Sequence, residues 1–266
     1  MTIATMLSLG ETALKLGLIC SLTVLALFLS YSMLNVCDLS TDGCFTFGAA
    51  VGAVVAVSGH PFLSIVAAMA AGVLSGFVTA ILQTKLGVDS LLAGIIVNTA
   101  LYSVNIAVMG GSSLINMNRT TTVFSMMKDT LSETPLKGRE DIIIAAIAVI
   151  LVILFLVFFL KTRLGLAIRA TGNNSDMVKS SSINPVFTTV IGLCVANAFT
   201  ALSGCLLSQS PEIRRYQYRT GYGHHRTGIP SDWRYDPWTW RNFCKGGGNG
   251  TRFLYFPSCI YDRAPV

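Results

Sequence analysis

Charge is what this sequence has least of: Asp, Glu, Lys and Arg make up 12% of its 266 residues, against roughly 25% in a soluble globular protein. With 52% apolar residues and a mean hydropathy of +0.62, a soluble single-domain enzyme is not expected. The seven cysteines, Cys20, Cys37, Cys44, Cys194, Cys205, Cys244 and Cys259, show no paired spacing, and several lie in apolar runs, where Cys acts as a small hydrophobe. No disulfide framework is expected. Met1 to Gly10 contains no basic region, and no small-residue cleavage site follows the first apolar stretch, so that stretch is expected to stay as a membrane span.

The formal net charge of +6 points at first toward an acidic partner. Its distribution says otherwise. Residues 1–208 hold 10 Lys+Arg and 9 Asp+Glu, a net of +1, and residues 209–266 hold the other 9 and 4, a net of +5. All three tryptophans and two of the three histidines also fall in the last 58 residues. The chain reads as two compositions, a membrane domain over 1–208 and a basic, aromatic tail over 209–266.

A membrane-crossing helix needs about 20 predominantly apolar residues. Thr12 to Val36, Phe62 to Leu82, Leu91 to Met109, Ile142 to Leu160 and Val186 to Leu207 qualify, and Cys44 to Ser58 is a shorter apolar run. The fold class expected is all-α, a polytopic membrane helix bundle with about six hydrophobic segments and an irregular tail. Lys15, near one end of the first span, is expected to snorkel toward water. Small residues recur every four positions at Ser64, Ala68, Gly72 and Gly76, and at Gly48, Gly52 and Ala56. Such stripes let helix backbones approach closely, which matters in lipid, where the hydrophobic effect does not drive helices together.

Lys161, Arg163, Arg169 and Lys179 put the segment after Leu160 in the cytoplasm, and Lys85 in the Gln83–Ser90 link agrees. The Gly110–Glu140 loop is then outside. The side of the N-terminus depends on whether Cys44–Ser58 crosses or re-enters. Asn98, Asn105 and Asn197 lie inside spans and must bridge helices or line a pathway, bridging being the commoner outcome. Asp38 and Asp42, beside Gly43, are expected to cap the following helix, with contact to a transported solute as the alternative.

Between the fifth and sixth spans, Arg163 to Ala170 mixes basic and apolar residues and is expected to extend the span helix inward. Gly172, Asn173 and Asn174 then break it, Asn174 or Ser175 caps a short helix with Asp176 in its first turn, and Asn184-Pro185 ends it. Met177, Val178 and Ile183 are its candidate apolar knobs for a docking partner; a plain solvated linker is the competing reading.

The run T-R-L-G-L-A-I-R-A-T-G-N-N, Thr162 to Asn174, followed by I-N-P at Ile183 to Pro185, resembles the cytoplasmic coupling loop of ABC-transporter permeases of the branched-chain amino acid and ribose importer superfamily. C-D-L-S-T-D-G-C-F-T-F-G-A-A, Cys37 to Ala50, is similar to that family's segment before a small-residue helix. The resemblance covers roughly residues 10 to 210 and lies nearest an uncharacterised or aromatic-amino-acid-like branch. It implies a non-enzymatic, multi-pass subunit of the plasma (inner) membrane with no cofactor. Its implied partners are a second permease copy, a cytoplasmic ABC ATPase subunit, an extracytoplasmic solute-binding protein and membrane lipid, with no nucleic acid. Carried over, Arg163, Gly165, Arg169, Gly172, Asn174, Asp176, Met177 and Ile183, within the 161–185 loop, would couple to the ATPase. Against a secondary transporter stands the expectation that such a protein carries ionisable residues inside its spans, and no span centre between Leu18 and Leu160 contains one. A membrane scaffold is the other alternative.

From Gln209 the apolar periodicity stops. His224, His225, Cys244 and Cys259 fit no standard zinc spacing, so no metal is expected. A basic tail for anionic lipid or RNA and plain disorder are two readings. A third explains more. Read from the second base of each codon with permissive wobble choices, Glu212 to Trp233 becomes K-F-A-D-I-N-I-G-Q-G-M-V-T-I-G-L-A-S-L-L-I-G, and Asn242 to Pro265 acquires a membrane-length apolar run. Both resemble the permease family's end, so a single inserted base near Ser210–Pro211 is expected. The chain would then lack the last spans and is expected to be inactive or short-lived. The coding DNA, read one base later from that point, should stay open and encode those spans; stop codons there would refute the frame change.

Overall fold

The computed structural model describes residues 3–111, 115, 117, 120–126 and 140–210. The tail from residue 211, with its zinc and frame readings, and Lys128, Lys137 and Arg139 of the Gly110–Glu140 loop lie outside the described residues. Those described are helical, without a strand: α1 (Ile3–Leu27), continued by one π-helical turn (Phe28–Met33), α2 (Thr41–Val57), α3 (Pro61–Thr84), α4 (Ser90–Val108), α5 (Glu140–Lys161), α6 (Arg163–Asn173), α7 (Ser175–Ser180) and α8 (Pro185–Gln209). Five stretches are long and apolar enough to cross a membrane, Gly10–Met33, α3, α4, Asp141–Lys161 and α8; α2 is the shorter sixth.

The bundle is built around α8. In α8, 72% of the membrane-length stretch is buried, against 28–39% in the other four. Its neighbours meet it through small residues. A Cβ on Gly72 would stand 2.5 Å from the Asn197 carbonyl oxygen and one on Gly76 2.6 Å from that of Leu193, while Ser64 and Cys205 touch through their side chains at 4.0 Å. α3 therefore runs antiparallel to α8. Cys44 donates to the Asn197 carbonyl (3.3 Å), Gly48 faces the Ala201 backbone and Gly52 faces Cys205, so α2 runs parallel to it. α1 is antiparallel: Ser203 Oγ donates to Ile19 O (2.7 Å), and Leu34 packs on Gly192. Both small-residue stripes thus lie against one helix, where backbone contact and dispersion replace the absent hydrophobic drive. Large apolar side chains point outward instead, among them Leu151, Leu154 and Phe158 on α5 and Val66 and Leu74 on α3. A second cluster, Ile19, Leu22, Ala26 and Leu29 of α1 with Val149, Val152 and Leu156 of α5, packs against Phe199 and Leu206 of α8.

These directions bear on the short run. α1 comes from the end of the bundle opposite the Arg163–Asn184 loop, turns back over residues 34–40, and α2 returns to the end it came from. α2 starts inside: Cys44, three residues into it, bonds to Asn197, which lies twelve residues from either end of α8. The N-terminal end of α1 therefore lies at the end opposite the loop.

Three local expectations are corrected. Lys15 does not snorkel: it is 4% exposed and its Nζ lies 3.3 Å from Asp141 Oδ2, pairing α1 with the start of α5. An amine stem that starts on a packed face has a nearer partner in the carboxylate than in water. Arg163 to Ala170 does not extend α5. Thr162 Oγ1 donates to Phe159 O (2.6 Å) and accepts from Gly165 N (3.3 Å), ending one helix and capping the next. Asp38 and Asp42 do not cap α2, whose N-cap, Ser40, makes no side-chain cap bond.

Candidate functional site

Two places in the bundle bring the singled-out residues together: the turn inside the bundle and the α6–α7 loop. At the turn, the π-helical stretch ends at Met33, Asn35 takes a left-handed φ of 56°, and side chains close the freed backbone. Ser30 Oγ donates to Val36 O (3.0 Å) and Thr41 Oγ1 to Asp38 O (3.4 Å). The Asp38 carboxylate accepts from Ser40 N (2.8 Å) through Oδ1 and from Asn197 Nδ2 (3.0 Å) through Oδ2. Thr79 Oγ1 donates to Ser40 Oγ (3.2 Å). Asp38 and Asn197 are buried, and this pair bridges the turn to the central helix.

Asp42, Asn98 and Asn105 fall on a different surface, between α2 and α4. Gly94 lies against the Leu39–Ser40 backbone, and the Asn98 amide sits over Gly43, its Oδ1 2.6 Å from where a Cβ would stand. Asn105 Nδ2 donates to Thr46 Oγ1 (2.9 Å), whose hydroxyl in turn donates to Gly43 O (2.9 Å). Asp42 and Thr46 are exposed one turn apart, and Tyr102, one turn from Asn98, is 70% exposed. Asp42 begins α2 close to the level of Asn197, so its carboxylate stands near the middle of the bundle's depth. A charge facing hydrocarbon there costs about 2.5–3.5 kcal/mol on insertion scales. The face fits a water-filled path or an interface between copies better than lipid. Thr46 and Tyr102 went unnoticed in the sequence because hydroxyls and tyrosines are unremarkable in spans; the spacing Asp42, Thr46 was the available signal.

Asp38 and Asp42 lie inside the bundle's depth, so the absence of ionisable residues from span centres no longer argues against a secondary transporter.

At the loop, Asn174 Oδ1 accepts from Asp176 N (3.0 Å) and Met177 N (3.1 Å), capping α7, and Lys179 pairs with Asp176 at 3.1 Å on the surface. Met177 is 68% and Ile183 39% exposed, and Arg163, Arg169, Asn174 and Asp176 are exposed too. Val178 is not an available knob: it is buried, holding α7 down. Gly165 is buried against Phe159 and Leu160. Gly172 points into the protein, where any Cβ would press on Met33 O and the Leu34 backbone, and beside it Thr171 Oγ1 lies 2.8 Å from Thr188 Oγ1. The loop is therefore seated on the inner turn, with its outward side left free. Asn184, whose Oδ1 accepts from Val186 N (3.0 Å), caps α8. Among the described residues no group of His, Cys, Asp and Glu is placed to hold a metal.

The family described as "Branched-chain amino acid transport system / permease component" matches residues 11–225. A tyrosine transport system permease protein of Clostridioides difficile is 34% identical over 195 residues, 73% of this chain and 62% of that protein. An uncharacterized protein of Rickettsia prowazekii is 31% identical over 218 residues, 82% of this chain and 73% of its own length. The chain thus spans 62% and 73% of the length of these two relatives. No solved structure matches.

Proposed function

The chain belongs to the permease-component family of branched-chain amino acid transport systems, and on that premise we propose that it is the membrane-spanning subunit of an ATP-driven amino acid importer. It is a multi-pass membrane protein. In the proposed assembly it resides in the plasma (inner) membrane, pairs with a second copy, receives solute from an extracytoplasmic binding protein and is driven by a cytoplasmic ATPase. Tyrosine or a similar amino acid is the proposed cargo, in line with the tyrosine permease relative.

The observation that carries the reading is the α6–α7 loop. Two short helices are anchored from below by Gly172 and Val178 and present Met177 and two arginines outward, with Ile183 exposed in the turn that follows them. A merely connecting loop has no need of a braced underside beneath outward apolar residues set among charged ones. In this proposal the exposed side sits in an ATPase groove, and closure of the ATPase moves the loop as a rigid body.

The test is uptake of labelled tyrosine into cells carrying the chain with its ATPase and binding protein. Met177→Asp should lower uptake by at least about tenfold, the effect of losing roughly 1.4 kcal/mol of interface, with the amount of chain in the membrane unchanged. Normal uptake by Met177→Asp would count against the coupling role. Uptake that survives ATP depletion but collapses with an ionophore would favour a secondary transporter, the reading the mid-depth carboxylates keep in play.

A further inference from the structure

We propose that the α2–α4 face binds the ammonium group of the transported amino acid, with Asp42 as its counter-charge and the amide oxygens of Asn98 and Asn105 as flanking acceptors. The inference rests on the importer reading and adds to it the chemical group recognised and the residues that recognise it.

The first observation is Asp42 itself. Its carboxylate is exposed near mid-depth and has no hydrogen-bond or ion-pair partner among the described residues, whereas the buried Asp38 is tied to Ser40 and Asn197. The second is independent. Asn105 is 8% exposed, and its Oδ1 is buried without a partner although its Nδ2 is committed to Thr46. Buried amide oxygens are rarely left so, and each exception asks for an explanation. The Thr46 hydroxyl cannot satisfy it, because its proton goes to Gly43 O. Asn98 adds a further oxygen directed over Gly43, beside Asp42.

The two groups left without a partner that bear on this argument, the Asp42 carboxylate and the Asn105 amide oxygen, are both acceptors. They favour a cationic donor, and a primary ammonium offers a positive charge, three N–H bonds and no acceptor. A carboxylate end of the same solute would be repelled, which orients it. A charge-assisted bond of this kind contributes more than a neutral one.

The test uses the full chain in phospholipid nanodiscs and equilibrium binding of three radiolabelled probes: L-tyrosine, tyramine, and 3-(4-hydroxyphenyl)propionate, which lacks the ammonium. Tyrosine and tyramine should bind, and the propionate should bind about 10- to 100-fold more weakly, the range of a hydrogen bond to a charged group. Asp42→Asn should weaken tyrosine and tyramine by a similar factor and leave the propionate unmoved. Asp42→Glu should retain most of the affinity, and the unfolding midpoint of both variants should stay with the parent chain, since Asp42 is exposed. Equal binding of the propionate, unchanged binding by Asp42→Asn, or no binding of tyrosine and tyramine would overturn the assignment. The two readings fail separately: the expected binding pattern without ATP-driven uptake would sink only the importer, and uptake with unaltered Asp42→Asn binding would sink only the ammonium site.

Discussion

Adding a side chain at Gly172 should destabilise the chain by itself, with no ATPase present. In Gly172→Leu the new Cβ has backbone on one side, Met33 O and Leu34, and neither can move without shifting the inner turn. Overpacking of this kind costs about 1–3 kcal/mol. The cost falls on a hinge already held in an uncommon geometry, one π-helical turn followed by a left-handed Asn35. Thermal unfolding of the detergent-solubilised chain should show a lowered midpoint, and Gly172→Ala should show a smaller shift of the same sign. Were Gly172 to face the ATPase instead, the chain alone would unfold as before and only the complex would suffer. Uptake should fall in either case, so the midpoint of the isolated chain is the deciding measurement. The contact also joins two parts of the molecule: a displacement of α6 is delivered at Met33 and Leu34, four residues from the carboxylate that ties the turn to α8.

Lys15→Met should cost more. Lys15 is 4% exposed and its Nζ lies 3.3 Å from Oδ2 of the partly buried Asp141 between α1 and α5, and removing one member of a buried pair typically costs about 3–5 kcal/mol, so a loss toward the lower end of that range is expected here. The double variant Lys15→Met, Asp141→Asn should recover part of that loss, since it also removes the desolvation cost of the remaining carboxylate. Unfolding of the two single variants and the double in one detergent checks it. A double variant no more stable than Lys15→Met would mean that the pair is not what holds α1 to α5 at this end.

The spans, their order and the helical class were legible in the sequence because each depends on composition over about twenty residues, and lipid leaves few alternatives to a helix. The cap at Asn174 was legible too, since an Asx side chain and the two amides it serves are neighbours in the chain. Family membership was legible from the 162–174 and 37–50 runs. Whatever depends on depth or facing was not. Gly172 reads as a helix breaker in sequence and stands as a contact with Met33 in space, 139 positions away. Asp38 and Asp42 are four residues apart, yet one is bonded to Asn197 inside the bundle and the other is left exposed toward α4. Val178 and Met177 are adjacent, and one anchors the loop while the other is presented outward. A helix turns about 100° per residue, so which neighbour is buried depends on where the partner helix lies, and that is set by close approach of glycines on α2 and α3 to α8. By itself the sequence determined that this chain lies in a membrane as a bundle of helices. Only the tertiary structure decided which of its few polar groups are structural ties and which remain open to a ligand, because burial follows from packing across distant segments.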